Sequence, residues 1–243
     1  MGQMFMHILP RKLNALHQLS DEEQAALLDA LSPPRELGRG RDIVDDGSTP
    51  GQTTVMLAGT ACRYKTLRNG KRHILAFQYP GDMTDLYSYV LKRMDHAIGT
   101  LSPCTFAHIH HEKVEELRIK YPNLGFAFWR DTMVDASIAH AWAAGSARTT
   151  ISRVAHMFCE IFIRLERVGK AELGRPLEFN ATQQDLADAL GLSLVHINKT
   201  VAQLKKRELI GRVGTKVVIL NWEGLQEVAG FDPAYLHFRN TLR

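Results

Sequence analysis

The order of hydrophobic and polar positions divides the chain into three regions, residues 1–122, 123–145 and 146–243. In the first region, short alternating or apolar runs are separated by turn dipeptides such as Asp46-Gly47, which is typical of antiparallel β structure. The run TVMLAGTACRYKTL, the turn Asn69-Gly70 and the run KRHILAFQ predict a hairpin, and LSPCTFAHIH predicts a further strand. We therefore expect a β-barrel in this half of the chain.

Helices are predicted on both sides of the barrel. A short helix over residues 21–31 has Ser20 as its N-cap and Glu23 at the capping-box position. Beyond Tyr121-Pro122, residues recur at the spacings of 3 and 4 that form the a/d seam of a coiled coil. The seam consists of Phe126, Trp129, Met133, Ala136, His140 and Ala143. It predicts a central helix, residues 123–145, that pairs two copies of the chain, and a two-faced core helix within a monomer is the alternative.

The third region has the order of capping residues that is typical of a helix-turn-helix. Thr182 is predicted to cap a first helix with Asp185 in its first turn, and Gly191 permits the sharp turn that follows. Ser193 is predicted to cap a second helix, and short runs around Gly214 predict the two strands of a wing. Two further helices are predicted over residues 151–167 and 222–229. This order of elements predicts a winged helix-turn-helix that binds double-stranded DNA.

The charge pattern supports the same prediction. Residues 196–216 contain six lysines and arginines against the single acid Glu208, and phosphates attract such a surface. The predicted DNA contacts are Thr182, Gln183, Ser193, Leu194, Val195, His196, Asn198, Lys199, Lys206, Arg212 and Lys216. Of these, Thr182, Gln183 and Ser193 are expected to contact phosphates and so to set the register on the duplex.

Composition limits the class of protein. A chain of 243 residues with 45% hydrophobic content can bury more than one core, and its apolar runs are too short to cross a membrane. The first residues lack the long apolar run of a signal peptide, so we expect a cytoplasmic protein with no membrane partner. A net charge of +4 permits an acidic partner. No known catalytic motif is present, which argues against an enzyme.

Two sets of residues were considered as metal ligands. The cysteines, Cys62, Cys104 and Cys159, lie far apart and predict buried apolar side chains rather than a disulfide framework or a cysteine metal site. In the run HIHH at residues 108–111, His108 and His110 share one face of a strand, which would suit a metal or haem. A polar strand end that leads into a helix is the preferred interpretation, and no cofactor is predicted.

The chain resembles the catabolite activator protein and fumarate-nitrate regulator family of bacterial transcription factors. The resemblance covers nearly the whole chain, through DIVDDGSTPGQ, LAGTACRYKTLRNGKRHILAFQYPGD, SPCTFAHIHHEKVEEL and, most specifically, TQQDLADALGLSLVHINKTVAQLKKRELI. It implies an α+β fold with a cyclic-nucleotide-binding-type double-stranded β-helix, or jelly-roll, a long dimerisation helix and a C-terminal winged helix-turn-helix. It also implies a homodimer that reads a near-palindromic site, with RNA polymerase as a partner.

Departures from the family pattern argue against control by cyclic AMP. Members that bind it resemble one another in a Gly-Glu pair, an Arg-Ser or Arg-Thr pair about ten residues later, and Thr-Ser on the long helix. The aligned positions here are Gly81-Asp82, Met94-Asp95 and Ile138-Ala139. A carboxylate in place of a guanidinium disfavours an anion, and four thiolates for an iron-sulphur cluster are absent. The candidate effector pocket is Gly81, Asp82, Met83, Arg93, Asp95, Ile138 and Ala139, with an unknown effector or none.

The start of the recognition helix also departs from the family, in which Ser-Arg-Glu-Thr is common. Leu194 and Val195 cannot donate hydrogen bonds but suit thymine methyl groups, whereas Asn198 and Lys199 suit adenine and guanine edges. We therefore expect a site unlike the family's usual half-sites. A ligand-binding or interaction module, in which DNA binding is secondary, stays the alternative function, and salt-dependent binding to duplex DNA separates the two.

Overall fold

The structure is a computed structural model and describes residues 7–214 and 216–239. Within these residues, the helices are α1 (Ile8–Leu16), α2 (Asp21–Asp29), α3 (Ser88–Leu91), α4 (His111–Lys120), α5 (Pro122–Gly145), α6 (Thr150–Arg167), α7 (Gln183–Leu190), α8 (Leu194–Lys206) and α9 (Trp222–Ala229). The strands are β1 (Arg35–Leu37), β2 (Asp42–Val44), β3 (Gln52–Ala58), β4 (Ala61–Thr66), β5 (Arg72–Gln78), β6 (Ala97–Thr100), β7 (Cys104–His110), β8 (Ile210–Val213) and β9 (Lys216–Ile219). A 3₁₀ helix, Pro233–Leu236, follows α9.

Strands β1 to β7 form the N-terminal β sandwich. In the described part of the chain they pair antiparallel into two sheets, with orders β1-β7-β3 and β2-β6-β4-β5. The predicted α+β class is confirmed, although these sheets keep open edges and do not close into one hydrogen-bonded barrel. Inward and outward side chains alternate along each strand, so the sandwich has an inner face and an outer face that packs on helices.

The predicted hairpin is correct around Asn69-Gly70, but its first arm is not one strand. Strand β4 pairs with β5, whereas β3 pairs with β7 in the other sheet. The break falls at Gly59, where φ is +88° and an added Cβ would lie 2.9 Å from the Cα of Cys104. Only glycine tolerates that conformation and that approach, so the chain changes sheets there.

The hydrophobic core joins the sandwich to both helical regions. The outer face of β3 and β7 packs on α1 and on the start of α5, through residues such as Val55, Ile109 and Phe128. A second cluster runs without interruption from Phe77 in β5 to Phe158 in α6 and on into the C-terminal helices. The helix-turn-helix therefore rests on the β sandwich through shared apolar contacts.

Most predicted helices are confirmed. Helix α2 has the complete Ser20–Glu23 capping box, and α9 has the predicted bounds. Helix α1 was not predicted, because its N-cap residue, His7, makes no side-chain capping bond that the sequence could reveal. Among the described residues, no helix is long and apolar enough to cross a membrane.

Candidate nucleic-acid interface

The helix-turn-helix is built from reciprocal capping bonds. The Asp185 N–H donates to Thr182 Oγ1 at 3.2 Å, and the Thr182 N–H donates to Asp185 Oδ2 at 2.7 Å, which starts α7. Gly191, at φ +62°, ends α7 in the left-handed conformation. Ser193 Oγ then accepts the His196 N–H at 3.3 Å and starts α8. Each cap satisfies a backbone group that the helix end leaves without a partner.

Helix α8 has one buried side and one exposed side. Ile197, Val201 and Leu204 are buried against the core. Leu194, Val195, His196, Asn198, Lys199 and Lys206 are all exposed. Because side chains three and four residues apart share a helix face, the residues predicted to contact bases lie together on the outer surface.

The wing follows α8 directly. Ile210 pairs with Ile219 and Val213 with Lys216, so β8 and β9 form a short antiparallel ribbon. Gly214 turns it at φ +60°. Arg212 is exposed and Lys216 is half-buried. The ribbon therefore presents two cations on the same part of the protein as α8.

The six cations of this surface, Lys199, Lys205, Lys206, Arg207, Arg212 and Lys216, form no ion pair with another residue in the ranges that the structure describes. The acids of α7 point elsewhere, toward the β sandwich. Unpaired cations on an exposed surface provide the attraction for phosphate that DNA binding requires.

Thr182 and Gln183 are placed differently from the other predicted contacts. Both are half-buried and line a cavity of about 580 Å³ with Arg39 and Ser102 of the β sandwich. The Thr182 hydroxyl donates to Asp185 Oδ2 at 2.7 Å. The structure thus gives Thr182 a capping role and leaves Ser193 the more open of the residues predicted to contact phosphate.

A contact that sequence reasoning missed holds α7 on the β sandwich. Arg72, at the start of β5, lies 2.5 Å from Asp185 Oδ1 and 2.8 Å from Asp188 Oδ2, and Arg39 approaches Asp185 at 3.6 Å. Arg72 and Asp185 are 113 residues apart in sequence, so no local pattern could reveal their pairing. The hairpin tip therefore orients the first helix of the helix-turn-helix.

The predicted dimer seam lies on the free side of α5. Phe126, Trp129 and Met133 are 45%, 62% and 51% exposed, and Ala136, His140 and Ala143 are exposed as well. The opposite stripe, which includes Phe128 and Ile138, packs on the rest of the chain. All six predicted residues thus form an exposed, largely apolar face within this one chain.

The predicted effector residues do not form one pocket. Asp82 is buried and its carboxylate lies 2.8 Å from Lys12 Nζ and 2.7 Å from Arg164 Nη2. Burial alone would raise the pKa of Asp82, but these two cations lower it below its ordinary value. Gly81 and Met83 are buried on either side of it. An anionic ligand would meet a carboxylate that is already neutralised by the protein.

The remaining effector residues lie elsewhere. Arg93 is exposed, and the Asp95 carboxylate, 75% exposed, lies 2.8 Å from His96 Nδ1. Ile138 is part of the core, whereas Ala139 lines a separate cavity beside α6. The grouping was wrong because α3 ends at Lys92 with φ +67°, which turns Arg93 and Asp95 toward solvent.

Arg63 fills the space between the sandwich and the central helix. Its Nη2 lies 2.7 Å from Asp135 Oδ2, its Nε donates to the Thr84 carbonyl at 2.7 Å, and its guanidinium stacks 5.5 Å from the Tyr87 ring centre. Tyr87 in turn bonds His96 Nε2 at 2.7 Å. Sequence reasoning missed this group, because a single arginine within a strand resembles a solvated position.

The cysteine and histidine predictions have clear outcomes. All three cysteines are buried and free, as predicted. His108 is buried beside Thr54, and burial lowers its pKa to about 4. His110 caps α4 and His111 bonds Ser88. The described residues contain no group of three or more histidines, cysteines or carboxylates arranged to hold a metal ion.

A capped helix-turn-helix with a basic wing, packed beside a jelly-roll-type sandwich, defines a helix-turn-helix transcription regulator. Residues 152–228 match the family model of the Crp-like helix-turn-helix domain. The chain is 24% identical over 228 residues to the transcriptional activator protein FnrL of Cereibacter sphaeroides, covering 92% of this chain and 91% of that protein. It is 22% identical over 196 residues to the nitrogen fixation regulation protein FixK of Azorhizobium caulinodans, covering 81% and 78%.

Solved structures show the same fold. FixK2 from Bradyrhizobium japonicum superposes with a TM-score of 0.72 at 20% identity and covers 82% of this chain and 98% of its own. A Crp-family transcriptional regulator from Thermus thermophilus superposes with a TM-score of 0.63 at 15% identity, covering 81% and 97%. The chain belongs to the catabolite activator protein and fumarate-nitrate regulator family. It is a transcription regulator with a helix-turn-helix DNA-binding domain, and not an enzyme.

Proposed function

We propose that the protein is a homodimeric, sequence-specific regulator that acts in the cytoplasm and reads a near-palindromic duplex site. In this proposal residues 1–122 are the sensory domain, 123–145 the dimerisation helix and 146–243 the DNA-binding domain. The exposed apolar seam of α5 is the single observation that carries the proposal. An apolar face of this kind on a 24-residue helix needs a partner, and a second copy offers the same face.

Dimer symmetry then specifies the form of the DNA site. A two-fold axis along α5 relates two copies of α8, so each would enter one major groove, and the half-sites would lie one helical turn, about 34 Å, apart. The exposed surface of α8 supports major-groove binding, because that groove is wide enough for one helix.

The proposed division of roles follows exposure and chemistry. Asn198 and Lys199 would read base edges, while Leu194 and Val195 would contact thymine methyl groups. Phosphate contacts are assigned to Gln183, Ser193, His196, Lys206, Arg212 and Lys216, with a backbone contact at Thr182. His196 supports this role only through its Nδ1 bond with Ser193 Oγ at 2.9 Å, which orients both side chains at the helix start.

Control by cyclic AMP is not part of the proposal. The Asp82 carboxylate is bound to Lys12 and Arg164, and Arg63 with Asp135 fills the space beside the central helix. Any effector would therefore be of another class. Contact with RNA polymerase at the promoter is proposed from the relationship to a transcriptional activator.

Selection of bound duplexes from a random library by the purified protein, with no ligand added, tests the proposal. We expect an inverted repeat with half-sites one turn apart. Lys199→Ala should weaken binding to the selected site by about 1–3 kcal/mol and relax the base preference at one position of each half-site. Lys113→Ala, an exposed lysine on α4, is the matched control. Recovery of no site, or of single half-sites only, would contradict the dimeric reading.

A further inference from the structure

The β sandwich contains a cavity of about 480 Å³ that lies away from Asp82 and from the DNA-binding surface. It is lined by β1, β2, the segment after β2, and the inner sides of β3 and β7. Asp85 and His108 contribute polar groups to the wall, and Leu37 and Phe106 contribute apolar surface. A volume of this size is within the range of small-molecule sites.

One oxygen of Asp85 is completely bonded and the other is not. Oδ1 accepts the Thr54 N–H at 2.6 Å, the Thr53 hydroxyl at 3.0 Å and the Thr84 hydroxyl at 3.3 Å. Asp85 is 0% exposed, and its Oδ2 has no hydrogen-bond partner in residues 7–214 and 216–239. A buried carboxylate oxygen without a donor is costly, and the three bonds to Oδ1 hold Oδ2 in a fixed position.

The charges around the cavity favour a cation. Its lining includes Glu36, Asp42 and Asp45 besides Asp85, against the single guanidinium of Arg35. His108 adds no charge at neutral pH, because burial, with a contribution from Arg35, lowers its pKa to about 4. Since no metal-ligating cluster is found in the described part of the chain, the complementary ligand is organic.

We propose that this cavity binds a small organic amine, whose ammonium or amidinium group donates a hydrogen bond to Asp85 Oδ2. Charge-assisted bonds of this type are stronger than neutral ones, and Leu37 and Phe106 would cover the hydrocarbon part of the ligand. Only its regulatory consequence, a change in DNA binding, rests on the function proposed above.

Calorimetric titration of the full chain at pH 8, without DNA, tests the inference with putrescine and agmatine as probes. Burial raises the pKa of Asp85 to about 6, so the carboxylate is ionised at pH 8. We expect saturable binding of at least one diamine and none of 1,4-butanediol, which has a similar length but no charge. Asp85→Asn keeps an acceptor for the three Oδ1 donors and should weaken binding at least tenfold.

Asp29→Asn, which removes one exposed carboxylate on α2, is the control and should bind as the wild type does. Absence of heat with both amines, equal binding of the diol, or unchanged affinity in Asp85→Asn would overturn the inference. Should Asp85→Asn fail to fold, the contrast between diamine and diol still decides. DNA binding is measured separately by fluorescence anisotropy, so a negative calorimetric result leaves the regulator proposal standing, and the reverse also holds.

Discussion

Replacing Arg164 with methionine should destabilise the fold more than any surface change. Arg164 lies on α6, with Nη2 2.7 Å from Asp82 Oδ2 and Nη1 3.3 Å from Glu160 Oε1, and its guanidinium stacks 4.7 Å from the Tyr79 ring centre. Its side chain is 7% exposed and that of Asp82 is 6% exposed. The pair thus joins the β sandwich to the DNA-binding region in a place that water does not reach.

The expected magnitude follows from what the substitution leaves behind. Asp82 would keep Lys12 but lose its second cation, and breaking a buried ion pair on one side costs about 3–5 kcal/mol. Glu160 is less affected, since it also accepts the Trp142 Nε1–H at 2.9 Å and the Tyr235 hydroxyl at 2.8 Å. We therefore expect a loss of about 3–5 kcal/mol in the free energy of unfolding at pH 7.

Urea unfolding followed by circular dichroism measures this loss, and Asp82→Asn with Arg164→Met is the matched double variant. Removing both charges should restore more than half of the stability, because no uncompensated carboxylate is left. The pKa of Asp82 is depressed below 3.8, so its contribution is present at neutral pH and is lost as the pH falls through that depressed value. The gap between wild type and single variant should narrow in acid. A loss below 1 kcal/mol, or a double variant no better than the single one, would refute the reasoning.

Three further changes follow from the same structure. Trp129→Glu, in the exposed seam, should give a monomer by size-exclusion chromatography with light scattering, whereas Ile119→Glu, 66% exposed on α4, should not; equal masses for both would contradict the seam as the interface. Gly59→Ala should lower the melting temperature by several degrees more than Gly70→Ala, since both have positive φ but only Gly59 lacks space for a Cβ; an equal shift would show that the steric argument is wrong. Ser193→Ala should cost about 1 kcal/mol in the free energy of unfolding through loss of the α8 cap, and Ser193→Thr, which keeps the cap, should recover most of it.

Local interactions explain why so much of the C-terminal region was predicted correctly. The caps at Thr182 and Ser193 and the left-handed glycine at 191 involve residues within four positions of each other, so their spacing is visible in one dimension. The exposed seam of α5 was visible for the same reason, because the helical period alone decides which residues share a face.

The tertiary structure decided everything that depends on contacts between distant parts of the chain. Asp82 reads in sequence as a possible ligand group, but the fold brings it to Arg164, 82 residues away, and it becomes half of a buried ion pair. Arg72 meets α7 only after β5 and the helix-turn-helix have packed on one core. The sequence by itself determined the class of protein, the caps and the amphipathic faces, because these depend on neighbours. Which carboxylates are neutralised, and which is left with an unbonded oxygen, depends on burial and on partners that only the folded chain brings together.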